Sequence, residues 1–239
     1  MTQPDGQSPW ILPTTGFWQS LEPLNDRDNR WSPPWRYGVP VRVPFEARTL
    51  ALILPIRALP DSGNRAVASL IANQASLDVA DALTRAMGEL ALGFQLDVVV
   101  GLPSLGFVFA PGVARALGYA RWVPLGYSRK FWYDDLQSTP VRSITTPVAG
   151  KTLYLDPNQL PLVKGRRVLL VDDAASSGQT LRQVWDLLEI LGATVVGAVV
   201  AMRQGDGWRA TLGPERAQHV HGVFDSSLLR LEHDGWWPM

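Results

Sequence analysis

The chain has 239 residues, 46% of them hydrophobic, with 22 Lys+Arg against 22 Asp+Glu. That length carries one good-sized domain with a substantial core, and the composition fits neither a disordered tail nor a membrane-embedded chain. Zero net charge argues against a broad basic face for nucleic acid, and the absence of cysteine removes disulfides, iron–sulfur clusters, thiolate zinc sites and cysteine nucleophiles.

Met1 to Ser8 is polar and lacks a basic-then-apolar progression, so no signal peptide is expected and the expected location is cytoplasmic. No apolar run reaches the length of a membrane span; Pro55, Pro103 or charged residues interrupt the candidates. The first 44 residues hold eight prolines and four of the ten tryptophans (Trp10, Trp18, Trp31, Trp35). Proline excludes helix interiors and central strands, while the tryptophans favour packing onto the body. Residues 1–44 therefore read as an irregular arm ending in an edge strand near Arg36–Val43.

Thr49–Ile56 reads as a strand. Asp61-Ser62-Gly63-Asn64 offers capping residues ahead of a helical pattern through Val67, Leu70, Ile71, Leu77, Ala80, Leu83, Met87 and Leu90, stopped by Gly93. After it the chain alternates. Strands are expected at Leu96–Leu102, Ala120–Leu125, Arg167–Val171 and Thr194–Ala201, with helices at Phe107–Leu117 and Thr180–Leu191. Apolar strands separated by amphipathic helices indicate an α/β fold with a parallel sheet flanked by helices. Gly126–Gly165 interrupts the alternation as a long loop or hairpin, and Gly205–Met239 is mixed, with a strand expected at His219–Phe224. Both segments are placed to cover the carboxyl edge of the sheet, where open α/β sheets bind ligands. The expected organisation is an arm at 1–44, a core at 45–204 and a C-terminal extension at 205–239.

Chemistry concentrates in Arg167-Val168-Leu169-Leu170-Val171-Asp172-Asp173-Ala174-Ala175-Ser176-Ser177-Gly178-Gln179-Thr180-Leu181. A buried strand ends on two carboxylates, and a turn of small residues runs directly into a helix. Such a turn brings backbone N–H groups close to an anion, and Ser176, Ser177 and Thr180 add hydroxyls. The carboxylates repel phosphate, so they suit sugar hydroxyls, directly or through a hard cation such as Mg²⁺. The lysine of a Walker loop is missing, and the acids precede the turn. Alternatively, Asp172-Asp173 simply terminates a strand, as acids do in other doubly wound folds.

This stretch resembles the fingerprint of the type I phosphoribosyltransferases, which bind 5-phosphoribosyl 1-diphosphate (PRPP). The resemblance spans about residues 94–203 and implies that family's fold: a central parallel sheet flanked by helices, with a small hood to which the N-terminal arm contributes. It implies that Asp172 and Asp173 hold the ribose hydroxyls, as catalytic residues and as indirect partners of Mg²⁺. The 5-phosphate would be wrapped by Ala174, Ala175, Ser176, Ser177, Gly178, Gln179 and Thr180. A second strand–turn–helix unit, Val100-Gly101-Leu102-Pro103-Ser104-Leu105-Gly106-Phe107, is similar to the pyrophosphate turn of adenine-type members, which places pyrophosphate at Pro103, Ser104, Leu105 and Gly106. Tyr127-Ser128-Arg129-Lys130 resembles the Arg-Lys pair of the same members, so Arg129 and Lys130 are expected as catalytic cations on the leaving group.

The chain departs from adenine-type members at two places: Leu105 stands where Arg is usual, and Pro147-Val148-Ala149-Gly150-Lys151 lacks the loop acid. The acceptor base is therefore left open within the purine-like class. The resemblance implies an enzyme that transfers 5-phosphoribosyl from PRPP to a nitrogenous base and releases pyrophosphate. Its expected partners are PRPP and a small-molecule base, without membrane or nucleic acid, and the expected assembly is a homodimer. A non-catalytic PRPP sensor is the alternative, and a DNA-uptake-associated relative a weaker third. Phe131, Trp132 and Tyr133, ahead of Asp134 and Asp135, suit a lid over a flat base, a small loop core or a subunit contact equally. His219 and His221 share one strand face, but two ligands make a weak metal site, and a surface strand is the simpler reading. Val223-Phe224-Asp225 is a candidate lining for the base pocket.

Overall fold

The computed structural model describes residues 10–60, 62–133, 135–143 and 146–239, with 141–143 and 146–150 as backbone only. The polar start at Met1–Ser8, the capping residue Asp61 and the loop acid Asp134 lie outside the described residues. In chain order, β1 (Leu21–Pro23), β2 (Gly38–Phe45), β3 (Arg48–Ala58) and β4 (Arg65–Ala68) precede helix α1 (Leu77–Ala91). Then come β5 (Val98–Gly101), α2 (Ala110–Ala116), β6 (Val123–Pro124), β7 (Ser138–Ser143), β8 (Thr146–Tyr154) and α3 (Leu160–Val163). β9 (Arg167–Ala175), α4 (Gln179–Ile190) and β10 (Thr194–Gln204) follow. The chain closes with α5 (Gly207–Leu212), α6 (Pro214–Ala217), β11 (Val220–Ser226), β12 (Leu228–Glu232) and β13 (Gly235–Pro238). Two compact units result: Met1–Ala82 with Ser226–Met239, and Leu83–Asp225.

The first unit is an antiparallel sheet in which β2 pairs with β3 from Gly38↔Pro55 to Phe45↔Arg48. Val39, Val41 and Val43 are buried while Arg42 and Pro44 are exposed, the two-residue alternation of a half-buried strand. The other edge of β3 carries β1 at Leu50–Leu52 and β4 at Ile56–Ala58. β12 pairs with β4, and β13 pairs with β12. Trp35 and Trp236 then exchange both backbone hydrogen bonds at 2.8 Å, joining β13 to the entry of β2. Gln19, only 3% exposed, stitches the arm in: its Nε2 donates to the carbonyls of Ile53 and Ser69, and its Oε1 accepts from the Ile71 N–H at 2.7 Å. The edge strand expected near Arg36–Val43 and the strand at Thr49–Ile56 are β2 and β3. They group with the arm and tail, so the units cut across the boundaries expected at 44 and 204.

The helical pattern expected from Val67 is a difference. Residues 65–68 form β4, and the helix begins only at Leu77, where Ser76 Oγ accepts from the Val79 N–H at 3.3 Å. Ala66 and Ala68 are fully buried at alternate positions, and β3 and β12 supply β4 with backbone partners on both sides. Pairing across long sequence separations overrides a three-to-four periodicity that local sequence shares between both states.

The second unit is the expected parallel sheet, in order β11-β10-β9-β5-β6. β5 runs parallel to β6 and β9, and β9 parallel to β10. Val168, Leu169, Leu170 and Val171 of β9 are fully buried, as a strand covered on both faces requires. The β5–β9 register is locked at its start: the guanidinium of Arg167, then its backbone N–H, bonds Asp97 and holds that carboxyl at about 2. The strand expected at Ala120–Leu125 shortens to the two residues of β6, with Trp122 turned edge-on to Phe107 at 5.3 Å. Gly126–Gly165 contains the β7–β8 hairpin and short α3. Among the described residues, no helix is long and apolar enough to cross a membrane.

Candidate active site

Asp172 and Asp173 lie at the carboxyl end of β9, between β10 and β5, where parallel strands deliver their last residues to one edge. Asp172 is 8% exposed and its Oδ1 accepts from the Asp173 N–H at 2.9 Å. Burial pushes both carboxyls above the usual range. Asp172 moves furthest because it also faces the charge of Asp173. A pair held in this state gains from any ligand that supplies hydroxyl donors or positive charge.

The turn leaves the pair through Ala174 and Ala175, the last residues of β9. Ser176, Ser177 and Thr180 are partly exposed, Gln179 is exposed, and Ala175 and Gly178 are buried. Ser176 Oγ bonds Gln204 Oε1 at 3.1 Å, and Ser177 Oγ accepts from the Gln179 N–H at 3.3 Å. Gly178 has φ +74°, and a Cβ there would come within 2.8 Å of Trp208 Cα and 2.9 Å of its carbonyl oxygen. Only glycine satisfies both constraints, so the turn lies flat on α5 and enters α4 with its N-terminus beside the acids.

The second turn touches the end of β9. A Cβ on Gly106 would lie 2.7 Å from the Val171 carbonyl oxygen and 3.1 Å from Asp172 Oδ1. The Leu102 N–H donates to the same Val171 carbonyl at 2.9 Å. Gly106 thus sits against Asp172, and the structure brings the turn that carries it to the end of β9.

It does not gather the cations in the same way. Arg129 is exposed and paired with Asp135 at 2.9 Å, and Lys130 is exposed on the loop. Phe131 is 94% exposed and stacks edge-on against Trp132 at 4.7 Å; Tyr133 continues the row to Tyr154 at 5.9 Å. Phe224 is 8% exposed, and Asp225 pairs with Arg203 at 2.6 Å. His219 and His221 flank a cavity of about 400 Å³ at the amino edge of the sheet, opposite the acids. His221 packs edge-on against Phe94 at 5.1 Å, and burial, then the charge of Arg203, lowers its pKa.

Three residues join the site that the sequence did not single out for it. Tyr127 donates its hydroxyl to the Pro103 carbonyl at 3.1 Å, Lys151 Nζ stands 5.0 Å from the Tyr127 ring centroid, and Gln204 holds Ser176. Tyr127 carried one local signal, its place directly after a strand end. Lys151 and Gln204 come from distant segments and carried none.

Among the described residues no group of three or more His, Asp or Glu side chains is suited to a metal ion. Two hard carboxylate donors fit a Mg²⁺ ion that takes the rest of its shell from water and ligand oxygens.

The family model described as "Phosphoribosyl transferase domain" matches residues 67–217. The adenine phosphoribosyltransferase of a Nocardioides species is 33% identical over 165 residues, covering 68% of this chain and 85% of that protein. That of Thermobifida fusca is 37% identical over 120 residues, and this chain spans 64% of its length. The crystal structure of adenine phosphoribosyltransferase from Thermoanaerobacter pseudethanolicus aligns with TM-score 0.51 at 23% identity, covering 62% of this chain and 83% of that one. The Giardia lamblia enzyme complexed with 9-deazaadenine aligns with TM-score 0.52 at 21% identity, over 63% of this chain and 81% of that one.

Proposed function

Because this chain belongs to the phosphoribosyltransferase family, we propose that it transfers the 5-phosphoribosyl group of PRPP to a ring nitrogen of a purine base, releasing pyrophosphate. The observation that carries this is the contact of two turns: the acid pair ending β9 and the backbone turn at Gly106, separated by no more than a missing Cβ. PRPP presents a diol between a monophosphate and a diphosphate, and the edge offers acids between two backbone turns.

Asp172 and Asp173 accept hydrogen bonds from the ribose hydroxyls and stabilise positive charge as the C1–O bond breaks. Ala174 to Thr180 seat the 5-phosphate with backbone amides and the α4 N-terminus. The amides of Ser104, Leu105 and Gly106 receive the pyrophosphate, which departs with the bonding electron pair, and the loop brings Arg129 and Lys130 toward it. The base nitrogen's lone pair forms the new bond to C1, and the nitrogen's proton then passes to water. Asp172 and Asp173 would hold Mg²⁺ together with PRPP, and the ion would supply neutralisation of the diphosphate charge. Catalysis on this scheme comes from positioning and electrostatics. On the same reading the protein acts in the cytoplasm as a homodimer.

Incubation with PRPP, Mg²⁺ and a panel of purines and pyrimidines, followed by phosphorus NMR, tests the proposal. Pyrophosphate released with one purine and not with pyrimidines is the expected result. PRPP binding without release on any base would make the protein a sensor and overturn the transferase.

A further inference from the structure

The turn from Pro103 to Gly106 contains no ionisable side chain, although a diphosphate seated there brings several negative charges. Backbone amides alone leave most of that charge uncompensated. Of the two cations expected from sequence, Arg129 is engaged with Asp135 at 2.9 Å and Lys130 lies exposed on the loop. Another cation is linked to the turn by a chain of contacts. The Tyr127 hydroxyl donates to the Pro103 carbonyl at 3.1 Å, and Lys151 Nζ lies 5.0 Å from the centroid of the Tyr127 ring. A backbone bridge fixes the two: Gly126 donates to the Tyr154 carbonyl at 3.0 Å and accepts from the Tyr154 N–H at 2.8 Å. That bridge ties the residue before Tyr127 to the strand carrying Lys151.

Building on the proposed transfer reaction, we infer that Tyr127 is a positioning residue for the pyrophosphate turn and that Lys151, seated on its ring, supplies that turn's positive charge. The phenol clamps the carbonyl that opens the turn, so the following amides face one way. The ring face holds the ammonium, and among the described residues no carboxylate pairs with it. Burial, then the charges of Asp172 and Asp173, raises the phenol pKa, which places the hydroxyl within the acid pair's field.

Binding measurements separate this inference from the function beneath it. Calorimetric titration with PRPP, and with ribose 5-phosphate as a probe lacking the diphosphate, is run on the wild type and on Tyr127→Phe, Lys151→Gln and Lys151→Arg. Pyrophosphate inhibition is measured on the same proteins. Tyr127→Phe is expected to weaken PRPP and pyrophosphate by about threefold to tenfold, and Lys151→Gln by about tenfold or more. Both should leave ribose 5-phosphate within about twofold, and Lys151→Arg should restore most of the loss. Equal weakening of ribose 5-phosphate, or no change in PRPP affinity, overturns the inference while the transferase stands. A wild type that binds neither sugar phosphate overturns both. Lys151 is exposed, so its variants report even if Tyr127→Phe folds poorly.

Discussion

At the scale of single residues, the cost of the site is concentrated in Asp172. A carboxyl 8% exposed beside a second carboxyl resists ionisation, and burial is the larger cause. Its folded pKa lies above its unfolded value, so the folded state binds the extra proton. Without ligand, stability should fall as pH rises from about 4 through the raised pKa, then level off. Asp172→Asn keeps an acceptor for the Asp173 N–H and removes the charge. The variant should lose Asp172's share of that pH-dependent decline and, near pH 9, melt about 2–4 °C higher, about 1 kcal/mol, while PRPP binding collapses. Melting curves from pH 5 to 9 check this; a lower midpoint for the variant across that range would count against a buried, ion-resisting pair. Tyr127 shows the other side of the same scale, because one hydroxyl links segments that local sequence treats as unrelated.

Among the elements, the β9–turn–α4 unit couples fold to chemistry most tightly. Gly178 answers a positive φ and the approach of the Trp208 backbone together, so its substitution strains the turn however the side chain is placed. Gly178→Ala should destabilise the protein by about 1–3 kcal/mol and weaken sugar-phosphate binding at temperatures where the variant remains folded. Chemical denaturation with binding titration reads both; a stable variant with unaltered affinity would show that the turn tolerates another path. α1 teaches the opposite lesson about elements. Its apolar pattern runs back to Val67, yet residues 65–68 pair on both sides as β4, and strand partners distant in sequence decide the outcome.

For the molecule as a whole, the chain ends belong together. β12 and β13 complete a sheet begun by the N-terminal arm, and Trp236, 1% exposed, bonds Trp35 across almost the full length of the chain. Trp236→Ala should cost about 3–5 kcal/mol, the range for emptying a buried large aromatic site. Limited proteolysis of that variant should cut within residues 10–76 before it cuts the Leu83–Asp225 unit. Simultaneous loss of both units would mean that they unfold as one.

The parallel sheet and the site's main turn were legible because their signals are local: four buried apolar residues, two acids, small residues and a helix face lie within 167–181. A strand feeding a helix needs no distant partner to declare itself, and the resemblance to a known fingerprint added the ligand class. The edge where Gly106 meets Asp172, the Tyr127–Pro103 clamp, the seat of Lys151 and the stitching of Gln19 were decided only by tertiary structure. Each joins residues 20 to 70 positions apart. No periodicity records such a meeting, because the free energy that selects it comes from burying shared surface and satisfying polar groups once the chain has closed.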